Sequence, residues 1–245
     1  MSRQRVALIT GAARRIGAAI ASELHARGCR VVLHYRSSAD AAERLAADLN
    51  RARADSAVLV QADLTRDEGP AQLAERLREL SPGLDLLVNN ASRFYPTRVG
   101  EVTTEHWRDL VGSNLRGPFF LCQALLPELR QNSGAIINIL DIHAERPMRG
   151  HTVYCIAKAG LAMMTRSLAR ELAPEVRVNG VAPGAILWPE EEPGSEMKAH
   201  ILGRTALGRL GSPQDIAGAV AYLGLEAPYV TGQVLAVDGG RSLNI

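Results

Sequence analysis

Tyr154 and Lys158 stand four positions apart in the run Tyr154-Cys155-Ile156-Ala157-Lys158. On a helix that spacing puts both side chains on one face. An ammonium beside a phenol favours the phenolate, so Lys158 is expected to lower the Tyr154 pKa. Such a pair can pass a proton to a substrate that receives hydride. Ordinary surface pairs share the same spacing, so the rest of the chain must decide between the two.

A second group of residues suits a phosphate. Thr10-Gly11-Ala12-Ala13-Arg14-Arg15-Ile16-Gly17 follows an apolar run at residues 6–9. Glycines let the backbone turn sharply and approach an anion, and the next helix aims free N–H groups at it. Further on the chain reads His34-Tyr35-Arg36-Ser37-Ser38, with no acid before Asp40. A site for NAD places Asp or Glu here to grip the ribose 2′-OH. Arg36 can instead pair with a 2′-phosphate, Ser37 and Ser38 can donate to it, and Arg15 adds charge nearby. These residues point to NADPH. The plain alternative is a helix-capping serine beside a surface arginine.

The elements that must position these groups follow an alternating rhythm. Apolar runs at 6–9, 30–34, 57–61, 84–88, 135–140, 177–181 and 234–237 read as strands. Helical patterns occupy 15–27, 39–53, 69–80, 152–172 and 213–223, with a long helical zone at 105–129 containing Pro118 and Pro127. Short strands alternating with helices imply βαβ units and a parallel sheet with helices on both faces. The expectation is one α/β domain over residues 1–245, Rossmann-like and doubly wound, with about seven strands. Residues 186–198 break the rhythm with Pro189, Glu190, Glu191, Glu192, Pro193 and Gly194. They read as an exposed loop, either a solvated connection or a substrate lid near 185–199.

Bulk properties narrow the class. The 245 residues are 47% hydrophobic and 22% charged, which suits a soluble globular chain able to bury a large core. The net charge is +2 and the basic residues are scattered, which argues against nucleic-acid and membrane-surface roles. Cys29, Cys122 and Cys155 are odd in number and far apart, so neither a disulfide framework nor a zinc site is expected. No secretory leader or membrane span is read, and a cytoplasmic setting is expected.

Taken together, Thr10–Gly17, Asn89-Asn90-Ala91-Ser92, Asn114, Tyr154-x3-Lys158, Pro183-Gly184, residues 229–233 and Asp238-Gly239-Gly240 resemble the short-chain dehydrogenase/reductase family in order and spacing. The resemblance covers essentially the whole chain. It implies a nicotinamide cofactor and a catalytic group in which Asn114 joins Tyr154 and Lys158 by holding a water that links Lys158 to solvent. It further implies cofactor contacts at Gly11, Arg15, Ile16 and Gly17, along His34–Ser38, and at Asp63 and Leu64 beside the adenine. Asn90, Ala91 and Ser92, then Pro183, Gly184 and Ile186, complete that set with Tyr154 and Lys158. A homo-oligomer, a tetramer by resemblance, is implied as well.

Two positions depart from the family pattern. Arg15 replaces the middle glycine of Gly-x3-Gly-x-Gly, and Asp141 stands where a serine is usual, 13 residues before Tyr154. Both substitutions, with Phe94 after the Asn-Asn-Ala-Ser segment, resemble pteridine reductases. That resemblance implies a pterin or folate substrate held by Arg15, Ser92, Phe94, Asp141 and Tyr154. Asp141 can accept from the N–H-rich pterin edge or pass a proton toward a ring nitrogen, and Phe94 can stack on the flat ring. Phe94 as an ordinary core aromatic is the alternative. Two rival functions stay open: a carbonyl or 3-oxoacyl-thioester reductase, and a non-enzymatic NADP-sensing regulator on the same fold.

Overall fold

The computed structural model describes residues 3–81, 83–188 and 194–244. Its strands are β1 (Val6–Ile9), β2 (Arg30–Tyr35), β3 (Ala57–Gln61), β4 (Leu86–Asn89), β5 (Ala135–Ile139), β6 (Arg177–Pro183) and β7 (Val234–Val237). They form one parallel sheet in the order β3-β2-β1-β4-β5-β6-β7. Its helices are α1 (Arg15–Ala26), α2 (Ala39–Ala52), α3 (Gly69–Leu80), α4 (Thr104–Val111), α5 (Gly117–Ala124), α6 (Leu126–Gln131), α7 (Thr152–Glu171), α8 (Ser195–Gly203) and α9 (Pro213–Ala221). This is the doubly wound, Rossmann-like arrangement the sequence rhythm implies.

Successive strand residues point to opposite faces, and here both faces are covered. From β1, Val6 and Leu8 join one core cluster with Leu73, Leu77, Leu121 and Leu161 of α3, α5 and α7. Ala7 and Ile9 join the other, with Ile20, Leu24, Ile216 and Val220 of α1 and α9. Burial on both sides is why the strands read as unbroken apolar runs. The strand order reverses between β1 and β4, and an open α/β sheet binds ligands at the carboxyl ends beside such a reversal.

Three details refine the expected elements. The helical zone at 105–129 is present, broken at its irregularities. α4 passes into a π-turn at Gly112–Arg116, and α5 and α6 each begin at a proline-containing turn. A side chain on Gly117 would lie 2.7 Å from the Leu64 carbonyl oxygen, so glycine lets this segment pack against the loop after β3. Pro118 has no N–H, so the Asn114 carbonyl lacks its usual helical donor. Second, β4 starts at Leu86 rather than residue 84, although Leu84 is buried. Third, the segment read as loop up to residue 198 already contains the start of α8, which buries none of its residues. Pro189 through Pro193 lie outside the described residues. Among the described residues no helix is long and apolar enough to cross a membrane.

Candidate active site

The site is assembled from loops at the carboxyl ends of the strands. After β1, the backbone turns at Gly11 with φ +62°. Gly17 packs so tightly on this turn that a Cβ there would lie 2.2 Å from the Gly11 oxygen. α1 then starts with no side-chain cap and no acid in its first turn. Its free N–H groups and positive dipole end therefore remain available to an anion.

Arg15 keeps a glycine-like backbone although its side chain is large. Its φ is +52°, in the left-handed region, where an ordinary residue costs about 1–2 kcal/mol. The guanidinium reaches across to donate to the Trp188 carbonyl at 3.2 Å. Arg15 thus holds a left-handed backbone conformation that favours glycine.

A cleft of about 380 Å³ opens at this end of the sheet. Its walls hold Gly11, Arg15 and Ile16 from the first loop and His34, Tyr35, Arg36, Ser37 and Ser38 from the second. Asp63 and Leu64 border it after β3, and Asn90, Ala91 and Ser92 after β4. Thus the residues expected around an adenosine and its phosphates are brought to one place. The glycine cradle, the uncapped helix start and the arginines at 14, 15 and 36 fit a phosphorylated dinucleotide. His34 is the exception within this group. Its ring is 2% exposed and has no nitrogen left for a ligand.

The residues expected to handle protons sit apart from that cleft. Tyr154 Oη donates to Asp141 Oδ2 at 2.8 Å. Asp141 ends the extended stretch after β5, and its Oδ1 accepts the His143 N–H at 2.9 Å, capping a short 3₁₀ turn. Lys158 is buried at 2% exposure, and its Nζ donates to the Ile139 carbonyl at 2.9 Å. Lys158 Nζ also lies 5.7 Å from the Tyr154 ring centroid.

The electrostatics reverse one expectation. Tyr154 is not pushed toward phenolate. Burial raises its pKa first, and the Asp141 carboxylate adds to the rise by charge and by accepting its proton. Lys158 was expected to dominate, but its ammonium bonds a carbonyl while Asp141 touches the hydroxyl itself. Burial in turn brings Lys158 down to about 8, with Asp141 partly opposing that fall. In this arrangement Tyr154 is a held proton donor.

Asn114 lies in the π-turn and is fully buried. Its Nδ2 donates to the Arg93 and Leu110 carbonyls, each at 2.9 Å, and its Oδ1 accepts the Ser92 hydroxyl at 2.7 Å. The side chain is therefore committed to structure, which leaves its backbone carbonyl for any water. Pro183 ends β6, Gly184 packs against Asp238, and Ile186 is buried near Gly211. These three lie outside the 380 Å³ cleft, like Gly17, Tyr154 and Lys158.

Phe94 is 53% exposed, so it is not a core aromatic. One face stacks on His151 at 4.7 Å with planes 11° apart, and Tyr154 meets the ring edge-on at 4.9 Å. Sequence reasoning missed His151. Its position three residues before Tyr154 was the available signal, because i and i+3 share a helix face. It also missed Arg93, whose guanidinium pairs with Asp109 at 3.0 Å while Tyr95 donates to the same oxygen. Nothing in the local sequence marks that cluster. Among the described residues no group of three or more His, Cys, Asp or Glu is placed to hold a metal ion.

A dinucleotide cleft at the sheet reversal, with a buried Tyr–Lys pair one strand away, defines a nicotinamide-linked oxidoreductase. A family model described as enoyl-(acyl carrier protein) reductase matches residues 11–242. The chain belongs to the short-chain dehydrogenase/reductase family, whose reductases depend on NAD(P). Pteridine reductase 1 of Leishmania tarentolae is 38% identical, over 97% of this chain and 96% of that protein. The 3-oxoacyl-[acyl-carrier-protein] reductase FabG of Staphylococcus aureus is 36% identical, over 98% and 99%. A solved blue fluorescent protein from a metagenomic library, in complex with NADPH, superposes with a TM-score of 0.89 at 36% identity, each chain covered to 97%.

Proposed function

We propose that the protein is an NADPH-dependent pteridine reductase that converts a dihydropterin, such as dihydrobiopterin, dihydromonapterin or dihydrofolate, to its tetrahydro form. The observation that carries this reading is the Asp141–Tyr154 hydrogen bond of 2.8 Å. A carbonyl substrate gains from a hydroxyl donor at this position, whereas a carboxylate suits a ring edge rich in N–H groups. The exposed Phe94 ring beside Tyr154 supports a flat substrate. The cleft residues would hold a reduced nicotinamide cofactor, which would provide the hydride for the C=N carbon. Tyr154 Oη supplies the proton to the ring nitrogen, completing the two-electron, two-proton addition. In this reading Lys158, with a water held at the Asn114 carbonyl, would restore that proton. The similar identity to the 3-oxoacyl reductase supports the second reading, a thioester reductase.

The deciding assay follows NADPH oxidation by purified protein with dihydrobiopterin, dihydrofolate and acetoacetyl thioester in parallel. Turnover of a dihydropterin is expected, and turnover of the thioester alone would sink the proposal. Cofactor choice has its own test. Arg36→Ser should weaken NADPH binding about 10-fold or more and leave NADH binding nearly unchanged, because a charge-assisted phosphate contact is worth about 1.5–3 kcal/mol. Equal loss for both dinucleotides would remove Arg36 from 2′-phosphate recognition. We also propose a homo-oligomer, a tetramer by family resemblance. Exposed Phe119 and Phe120 on α5, with Ile156 and Met163 on α7, offer apolar surface for it.

A further inference from the structure

One residue of the cleft wall has both its ring nitrogens bonded to the protein. His34 lies at the end of β2 with its ring almost wholly buried. Nδ1 accepts the Gly11 N–H at 3.2 Å, and Nε2 donates to the Ala62 carbonyl at 3.1 Å. The His34 carbonyl accepts the next loop N–H, from Ala12, at 2.9 Å. One residue therefore joins the ends of three strands. Gly11 begins the phosphate turn, Ala62 precedes Asp63 on the adenine side, and Arg36 follows two residues after His34 itself.

These contacts fix the imidazole's protonation. Accepting from Gly11 requires a bare Nδ1, and donating to Ala62 requires a proton on Nε2. Burial lowers the pKa to about 4, with the Ala62 carbonyl and the Asp63 charge only partly opposing it, so the ring is neutral near neutral pH. The two bonds also settle which N–H groups remain for an anion. Those of Gly11 and Ala12 are consumed from below, which leaves the N–H groups at the start of α1 to face the cleft.

We propose that His34 is a positioning residue for the dinucleotide. It sets the height and orientation of the phosphate turn relative to the 2′-phosphate residues, and both its ring nitrogens are spent on the protein. The inference rests on the reading of the cleft as the cofactor site.

Isosteric variants separate its two bonds. The Asn side-chain oxygen falls near the place of Nδ1, so His34→Asn keeps the Gly11 bond and loses the one to Ala62. His34→Gln places its NH2 near Nε2 and keeps the Ala62 bond alone. The probe is adenosine 2′,5′-bisphosphate, titrated by calorimetry, with circular dichroism confirming the fold of each variant. His34→Ala and His34→Gln are expected to weaken binding at least about 10-fold, while His34→Asn stays within about 3-fold of wild type. Unchanged binding in the Ala and Gln variants overturns the proposal, as does equal loss in Asn and Gln, which would signal general destabilisation. If wild type fails to bind the probe, the cleft assignment itself falls and the inference falls with it.

Discussion

Tyr154→Phe is expected to lower the rate of substrate reduction by about 10²-fold or more with little change in dinucleotide affinity. The phenol is the hydrogen-bonded partner of Asp141, and the cleft proposed for the dinucleotide does not include it. Single-turnover NADPH oxidation measures the loss, and fluorescence titration with NADPH measures the affinity. An unchanged single-turnover rate would remove Tyr154 from the mechanism. The pH profile adds a check with a defined sign. Lys158, brought down to about 8, restores protons to Tyr154 only while it is an ammonium. The wild-type rate should therefore fall as pH rises through about 8. Stability responds in the opposite direction. Between about 8 and its ordinary value of 10.5, Lys158 binds its proton more in the unfolded chain, so its contribution to stability rises with pH.

Asp141→Ser should give the second large effect, this time on substrate choice. Dihydropterin turnover is expected to fall by about 10²-fold, and reduction of acetoacetyl thioester is expected to persist or rise. The fold tolerates the change because serine is also a good cap for the turn that Asp141 now caps through His143. Removing the carboxylate also takes a negative charge from beside Tyr154, so the phenol pKa should drop toward its ordinary value. Ultraviolet titration of the variant against wild type reads that shift. Dihydropterin turnover at the wild-type rate would end the proposed role of Asp141.

The sheet was legible because strands covered on both faces are mostly apolar, as β1 is throughout and β5 is apart from Asn138. The helical zone was legible, with its prolines as irregularities, but the π-turn inside it was not, for a local reason. Its apolar pattern continues across Gly112, Gly117 and Pro118, but close packing at Gly117 and the missing N–H at Pro118 impose a π-turn that periodicity does not encode. α8 was missed because the acidic, proline-containing run before it dominates the local composition.

At the site, spacing placed Tyr154 and Lys158 on one helix, but it could not rank their neighbours. Asp141 comes from a different strand end and wins through direct contact with the hydroxyl. His34 lines the cleft in the same short run as Arg36. Only the fold shows that both its ring nitrogens bond beneath the turn. The pairing of Phe94 with His151 likewise joins segments more than fifty residues apart in sequence.

The packing of α9 against α1 bears on how this chain is made. Ile20 and Leu24 of the phosphate-side helix share a core cluster with Ile216 and Val220. A ribosome delivers α1 well before α9. Until residues beyond 213 emerge, α1 lacks the partner that covers part of its apolar face, while β1, β2 and β3 can already pair. The nascent protein therefore carries a sticky α1 over that interval. Chains released before α9 by a premature stop should be recognised by chaperones and proteases through that helix, and the cleft after β1 should mature only after α9 docks.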